Sequence, residues 1–375
     1  MVIVIADDIT GAAEIAGIAH RYGLRVLLSI DEVHQGIDYK ENYDVMVIAT
    51  DSRSYCSEQA AEITSKAARS VCAALGGIGN EHILFRKTDS ALRGNVNEEL
   101  NALTDATIYE TAVYLPANPS KGRIIRNGTY LIDNTPISET PFCYDPEFPA
   151  LTSSVSERFP GLYCPDAVCK DDIDMIVSKV LASKRKTLLA GAADLFCSLV
   201  EKVFSLSPVA GEEFSGIPKN SHTLLVCGST QSKNLSLGLL TEPMPMDVFY
   251  GQEEPRMWAK KIENRYLLEK EKSGNTRRGT ILTIGDKEVR KGKEAAVYLR
   301  NAMAEVCCQL LSASLPDELV IEGGATAFAI LQHMPWQSFL ITNEVSPGVV
   351  RMKTENENLH ITLKPGSYDW GELWK

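Results

Sequence analysis

Three short stretches of this sequence place chemically capable side chains directly after apolar runs. Asp7-Asp8-Ile9-Thr10-Gly11 follows Val2–Ala6. Thr50-Asp51-Ser52-Arg53 ends the run that starts at Val45. Arg86-Lys87-Thr88-Asp89-Ser90 ends the run from Ile83, with Leu92-Arg93-Gly94 just after. Ligands of open parallel sheets bind beyond the carboxyl ends of the strands. These stretches therefore set four carboxylates and several cations around one cleft. The mixture suits a polar substrate bearing hydroxyls and a carboxylate. Arg grips a carboxylate with two parallel hydrogen bonds, and Asp accepts from hydroxyls. Each stretch alone has a plainer reading, because Asp8 or Thr10 after a strand also serves as a helix N-cap. Three together weigh toward a site.

The second half carries a different chemistry. Glu318–Glu322 runs into Gly323-Gly324-Ala325-Thr326-Ala327 and then a helical pattern. Glycines let a phosphate approach the backbone, and free N–H groups at a helix start attract anions. Gly228-Ser229-Thr230-Gln231-Ser232 opens another helix, and Lys364-Pro365-Gly366-Ser367-Tyr368 follows a third strand. Together they suggest a nucleotide-phosphate site. There is no G-x-x-x-x-G-K-[ST], no G-x-G-x-x-G after a strand and no G-x-S-x-G elbow. A P-loop enzyme, a dinucleotide-dependent dehydrogenase and an elbow hydrolase thus lack motif support. The six histidines are dispersed without metal spacing, and no metal-binding residue is assigned. The four tryptophans read as packing residues.

The elements that must position these residues alternate. Strands Val2–Ala6, Arg25–Ile30, Val45–Thr50, Ile83–Lys87 and Thr111–Leu115 enclose helices Thr10–Tyr22, Ser57–Leu75 and Asn95–Leu103, with a capping box at Asn95 and Glu98. Ile124–Arg126 and Thr129–Ile132 flank Asn127-Gly128, a type I′ hairpin signal. A short strand near Cys164, helix Asp171–Ser183, strand Thr187–Ala190 and helix Ala193–Phe204 resume the alternation. Residues 205–222, rich in Ser, Pro and Gly, read as a linker. Beyond it come strands Thr223–Cys227, Asp247–Tyr250, Thr280–Ile284, Glu318–Glu322, Phe339–Ile341 and Leu359–Leu363. The intervening helices are Ser232–Leu240, Glu254–Glu269, Lys293–Ser312 and Thr326–His333. The fold class is α/β: two successive α/β domains, 1–210 and 211–375, with mainly parallel sheets and a ligand cleft between them.

The 375 residues, 44% hydrophobic and 23% charged, are those of a globular protein, and two domains suit the length. A net charge of 38 − 49 = −11 argues against a large nucleic-acid surface. No apolar run reaches the ~20 residues that span a bilayer, and with Met1 leading straight into a strand no signal peptide is expected. Nine scattered cysteines without a C-x-x-C pair read as reduced thiols, so a cytoplasmic location is expected.

These motifs, in this order, resemble the four-carbon acid sugar kinase family. Its Asp-Asp-[Leu/Ile]-Thr-Gly-Ala stretch appears as Asp7 to Ala12, its Thr-Asp-Ser-Arg as residues 50–53, and its Lys-x-Asp-Ser-x-Leu-Arg-Gly as Lys87 to Gly94. Pro-Ala-x-Pro-x-x-Gly-Arg appears as Pro116 to Arg123, and Asp145-Pro146 matches an Asp-Pro. Gly-Ser-x-x-Ser, Gly-Gly-x-Thr-Ala and Lys-x-Gly match residues 228–232, 323–327 and 364–366. Ala91 stands where the family usually has Thr, and the C-terminal segment departs from the common form.

The resemblance implies an ATP-dependent kinase acting on threonate, erythronate or an oxo-tetronate, normally at the terminal hydroxyl. The first domain would bind the acid and the second the nucleotide. Asp8 is then the first choice for the base, with Asp7 or Asp89 as fallback. Adjacent residues at a strand end should point to opposite sides, with Asp8 facing the cleft and Asp7 capping the helix or holding water near the metal. Asp51, Arg53, Lys87, Ser90, Arg93 and Arg123 would contact the substrate or the moving phosphoryl group. Ser229, Ser232, Gly323, Gly324, Ala325, Thr326 and Gly366 would cradle ATP, with Mg²⁺ held mainly by phosphates and water. The partner is a small acid sugar, with neither nucleic acid nor membrane, and a homo-oligomer is compatible. The rival reading is a non-catalytic two-domain sensor of a polar metabolite.

Overall fold

A computed structural model describes residues 1–32, 42–78, 81–145, 147–208, 214–228, 237–272, 277–285, 292–354, 357–366 and 368–375. The chain divides into two compact units, Met1–Gly211 and Glu212–Lys375. Both are mixed α/β with mostly parallel sheets.

The first unit contains β1 (Val2–Ala6), β2 (Val26–Ile30), β3 (Val45–Ala49), β4 (Ile83–Lys87), β5 (Thr111–Leu115), β6 (Arg123–Arg126), β7 (Thr129–Ile132), β8 (Thr135–Pro136) and β9 (Thr187–Gly191). Six of them form a parallel sheet in the order β2-β3-β1-β4-β9-β5. Every residue of β1, β2 and β3 is buried. That is why these strands read as unbroken apolar runs: helices cover both faces of a parallel sheet. Strand β1 is central, with Ala6 beside Ala49 of β3 on one side and Lys87 of β4 on the other. The loops after β1, β3 and β4 consequently leave the same edge as neighbours. Strands β6, β7 and β8 form a separate antiparallel sheet. Asn127 and Gly128, at φ 51° and 71°, make the β6–β7 turn in the left-handed conformation that Asn-Gly favours.

The second unit contains β10 (His222–Cys227), β11 (Leu240–Pro243), β12 (Arg278–Thr283), β13 (Glu318–Glu322), β14 (Ser338–Ser346), β15 (Val349–Thr354) and β16 (His360–Lys364). Their order is β11-β12-β10-β13-β16-β15-β14; the first five run parallel, and β15 is antiparallel to both its neighbours. Trp370 and Trp374 pack against a buried cluster that includes Leu225, Val320 and Val349.

Local expectations change at five places. The strand expected at Asp247–Tyr250 is instead the short helix Met246–Phe249, entered from Pro245, with Phe249 and Tyr250 donating N–H bonds to the carbonyls of Pro245 and Met246. The strand lies earlier, at Leu240–Pro243, where helix Ser232–Leu240 was expected to end; residues 229–236 of that helix lie outside the described residues. Strand β15 was missed although Arg351 and Lys353 alternate with buried Val350 and Met352. Asn95 makes no capping box, because its side-chain amide donates to the Tyr55 carbonyl at 3.0 Å. Near Cys164 there is a single bridge, Tyr163 to Val113.

Cys56 and the other eight cysteines are free thiols. No helix among the described residues is long and apolar enough to cross a membrane.

His222, fully buried at the start of β10, lies 5.1 Å from the Tyr266 ring. Burial, then the nearby Lys270, pushes its pKa down to about 4 from 6.5; burial likewise lowers His360 to about 4. The unfolded chain therefore binds protons that the folded unit refuses. Stability is fully present above pH 6.5 and is lost as pH falls toward 4. Urea midpoints of the second unit's transition should drop between pH 7 and about 5, and His222→Phe should shrink that drop. An equal drop in the variant contradicts the assignment.

Candidate functional site

The loop after β1 begins with both aspartates close to one guanidinium. Arg53 donates from Nε and Nη2 to the two oxygens of Asp7 at 2.8 and 2.9 Å. It also donates to Asp8 at 3.0 Å and lies 3.8 Å from Asp89. Asp7 is 1% exposed and Asp8 17%. Of the expectation that Asp7 and Asp8 point apart, the greater exposure of Asp8 agrees, but both carboxylates still reach the one Arg53 guanidinium. The capping role falls to Asp8 rather than Asp7. Asp8 is the N-cap of helix Ile9–Arg21, accepting from the Gly11 N–H at 2.9 Å and the Thr10 hydroxyl at 2.5 Å. A Cβ on Gly11 would fall 2.6 Å from that carboxylate and 3.1 Å from the Lys87 ammonium, so a side chain there would have to push the Asp8 carboxylate out of its capping position.

The loop after β4 folds around Asp89. Its carboxylate accepts from the Ala91 N–H at 2.9 Å and from Nε and Nη2 of Arg93, both at 2.9 Å. Arg93 also lies 3.7 Å from Asp145. Arg123 donates to the Ser90 hydroxyl, and the Tyr130 hydroxyl donates to the Ser90 carbonyl at 2.5 Å. Lys87 donates to the Thr88 carbonyl at 3.0 Å and pairs with Glu14 at 3.4 Å. Asp51 stands at φ 49° ahead of a short 3₁₀ turn, Ser52–Ser54. Beneath these groups the buried Arg86 pairs with the buried Glu99 at 2.7 Å, and Ser52 bridges them.

Burial alone would raise the carboxyl pKa values, but cations reverse this. Arg53, then Lys87, holds Asp8 below its usual range. Arg53 and Arg93 hold Asp89 well below it, and Lys87 and Lys121 lower Glu14. Glu99 moves the other way: its burial, against the pull of Arg86, leaves it raised. The loops thus present ionised carboxylates interleaved with cations, a surface able to accept hydrogen bonds from hydroxyls and to hold an anion.

In the second unit, the turns after β10, β13 and β16 are tied together. Gly228 N–H donates to the Glu322 carbonyl at 3.1 Å, and Gly323 N–H donates to the Lys364 carbonyl at 2.9 Å. Gly323, at φ 104°, caps helix Gly324–His333. Gly324 is half-buried, Ala325 exposed and Thr326 buried. Thr326 packs on Gly228, where an added Cβ would fall 2.1 Å from its hydroxyl. Lys364 pairs with Glu322 at 2.7 Å, both buried, and donates to the Pro365 and Gly366 carbonyls. Its charge is therefore spent inside the protein, beneath the glycines.

The structure brings together Asp7, Asp8, Arg53, Lys87, Asp89, Ser90, Arg93 and Arg123 within the first unit, and Gly323, Gly324, Ala325, Thr326 and Gly366 within the second. Ser229, Ser232, Pro146 and Ser367 lie outside the described residues. The sequence reading passed over Glu14 and Asp145 as site residues. Glu14 had a signal: it sits three residues after Gly11, a lone acid in a helix of Ala and Ile. Asp145 had none beyond its match to an Asp-Pro, because only the tertiary fold sets it against Arg93.

Residues 2–161 match the model of a sugar-binding N-terminal domain, and residues 261–368 that of a nucleotide-binding C-terminal domain. The chain is 22% identical to D-threonate kinase of Salmonella typhimurium over 98% of this chain and 95% of that one. It is 32% identical to D-erythronate kinase of Heliobacterium modesticaldum, over 42% of this chain and 35% of the relative. A 3-oxo-tetronate kinase of Pseudomonas fluorescens is 24% identical over 97% and 93%. Among solved structures, a Salmonella typhimurium LT2 protein superposes with a TM-score of 0.75 at 16% identity, covering 100% of this chain and 97% of that one. Haemophilus influenzae protein HI1011 does so with 0.69 at 18%, covering 99% and 98%. The structural likeness shows a shared fold.

Asp89 also sets an acid limit on the first unit. Its lowered pKa means that its stabilising effect is present above 3.8, the unperturbed value, and is lost as pH falls below it. Asp8 and Glu14 act with the same sign, and the raised Glu99 with the opposite one. Asp89→Asn should therefore flatten the fall of the first unit's urea midpoint between about pH 4 and pH 2. A slope equal to the wild type's contradicts the role given to Asp89.

Proposed function

Because the chain belongs to the four-carbon acid sugar kinase family and is a phosphotransferase with an alcohol acceptor, we propose that it transfers the γ-phosphoryl group of ATP to a hydroxyl of a four-carbon sugar acid. Threonate, erythronate and an oxo-tetronate are the candidate substrates, with the terminal hydroxyl as acceptor. The first unit holds the acid and the second the nucleotide. The observation that carries the reading is Asp8: a partly exposed carboxylate, kept ionised beside Arg53 and Lys87 at the carboxyl end of the central strand.

Phosphoryl transfer proceeds through a loose transition state, so catalysis is mostly positioning and charge stabilisation. Asp8 accepts the hydrogen bond of the attacking hydroxyl and aims its oxygen. As the oxygen–phosphorus bond forms and the bond to the ADP oxygen breaks, the hydroxyl proton passes to Asp8. A carboxylate of low pKa is a weak base, which suits a proton that leaves late. Lys87 and Arg93 face the negative charge of the substrate carboxylate or the moving group, and Arg53 keeps Asp7 and Asp8 in register. Gly324 and Gly366 offer backbone N–H groups to the phosphates, while the Gly323 N–H, held by the Lys364 carbonyl, fixes the turn. Mg²⁺ bound to those phosphates would neutralise part of their charge. The nine free thiols suit a reducing cytoplasm.

The direct test is ATP consumption by the full chain against a panel of four-carbon acids. One or more should be turned over, and ATP binding without turnover of any favours the sensor reading. Asn remains a good N-cap, so Asp8→Asn removes the proton acceptor while keeping the helix start. Its kcat should fall ~10²-fold or more with ATP affinity kept. Near-normal turnover passes the role to Asp89 or Asp7.

A second variant addresses the nucleotide. Gly324 is not in the left-handed region, so Gly324→Val folds but blocks phosphate approach. Its ATP affinity should drop with unfolding unchanged, and unaltered affinity removes this turn from the site.

A further inference from the structure

Arg158 lies well outside the carboxyl-end loops, yet its guanidinium reaches the loop that carries Asp89. Its Nε and Nη2 donate to the Leu92 carbonyl at 3.1 and 2.9 Å. Its Nη1 donates to the Pro149 carbonyl at 3.0 Å and Nη2 to that of Phe148 at 3.4 Å. All four bonds end on neutral carbonyls. A guanidinium is normally committed to carboxylates or phosphates, for which its fork is shaped. Here it is used as a clamp between two backbone segments.

Both segments belong to the site. Leu92 stands at φ 64°, a conformation that residues with a side chain rarely adopt and that persists only when its surroundings enforce it. It is 1% exposed, so its position is also fixed by packing. That turn sets the course of the chain from Asp89 to Arg93, whose N–H and guanidinium both return to the Asp89 carboxylate. The second segment follows Asp145, which faces Arg93 at 3.7 Å. Asp145 also accepts from the Phe148 N–H at 2.8 Å, so the same short stretch is tied to Arg158 and to the ion pair. On the neighbouring residue, the Tyr130 hydroxyl holds the Ser90 carbonyl.

We propose that Arg158 is a positioning residue: by holding the Leu92 carbonyl against residues 148–149, it fixes the strained turn that aims Asp89 and Arg93 at the sugar acid. The inference rests on the kinase reading for its substrate, but its structural content stands apart from it. Lys is the informative replacement, because a single ammonium keeps the charge and cannot hold two segments with a planar fork.

The test uses the full chain and two readouts. In Arg158→Lys, kcat/KM for whichever acid the wild type phosphorylates should fall ~10- to 100-fold, the scale of a small misplacement of reacting groups, with KM for ATP unchanged. Hydrogen exchange should accelerate at the Ala91 and Arg93 amides, which donate to Asp89, and stay as in the wild type at the Gly11 amide, which donates to Asp8. Unchanged exchange and kinetics overturn the proposal. Uniform acceleration at all three amides, with KM for ATP raised as well, also overturns it, because it shows a general loss of stability. Should the lysine variant not fold, Arg158→Gln, neutral and cheaper to bury, is read by the same two measurements. If the wild type phosphorylates no acid of the panel, the kinase reading fails, and the exchange pattern still decides the role of Arg158.

Discussion

One guanidinium makes the first unit's site sustainable. Three carboxylates, Asp7, Asp8 and Asp89, lie within 4 Å of Arg53, which is 15% exposed. Without a shared cation their mutual repulsion at the end of a buried sheet would drive them apart. Arg53 is itself placed by the backbone: its N–H donates to the Asp7 carbonyl at 3.2 Å, so the loop after β3 is pinned to the turn after β1. The parallel register of β1 with β3 and β4 brings these loops together, and the ion pairs then fix their spacing.

A layered charge arrangement follows from that constraint. Beneath the site, Arg86 and Glu99 form an ion pair with essentially no exposure. Such a pair gains little stability over an apolar one, but breaking it by removing one partner leaves an uncompensated buried charge. Above it, glycine keeps two positions open: a Cβ at Gly11 would press on the Asp8 carboxylate, and Gly94 stands at φ 101°, a conformation that side chains rarely adopt. At the side, the antiparallel sheet and Arg158 hold carbonyls of Ser90 and Leu92. The second unit repeats the logic with less charge. Lys364 and Glu322 neutralise each other below the glycine turns, so their charge is spent inside the protein.

Much of this was legible in the residues because local rules and global fold agree. Buried parallel strands read as apolar runs, and the polar residues that end β1, β3 and β4 stood out against them. The parts that were not legible depend on tertiary contacts. Nothing local says that Asp7 and Asp8 share one arginine, because Arg53 comes from the loop after β3 and only the tertiary fold sets it between them. The use of Asp8 as a helix cap was an open alternative, and the structure shows that capping and a partly exposed carboxylate coexist in one side chain. Asp145 and Arg158 lie more than fifty residues from the loop they meet. Strand β15 was hidden because its antiparallel alternation sits in a domain whose other strands are parallel. The helix at Met246–Phe249 was misread because Val248 and Phe249 favour strands locally, while Pro245 sets a helix start.

The central claim is that Arg53 is the shared counter-charge for the aspartates. A double-mutant cycle on unfolding free energy at neutral pH, with Arg53→Met, Asp7→Asn and both together, measures it directly. The account predicts that Arg53→Met costs about 3–5 kcal/mol, the scale of a broken buried pair. It further predicts that adding Asp7→Asn recovers part of that loss, with a coupling energy above about 1 kcal/mol. Additive effects of the two substitutions, with no recovery in the double variant, would contradict it.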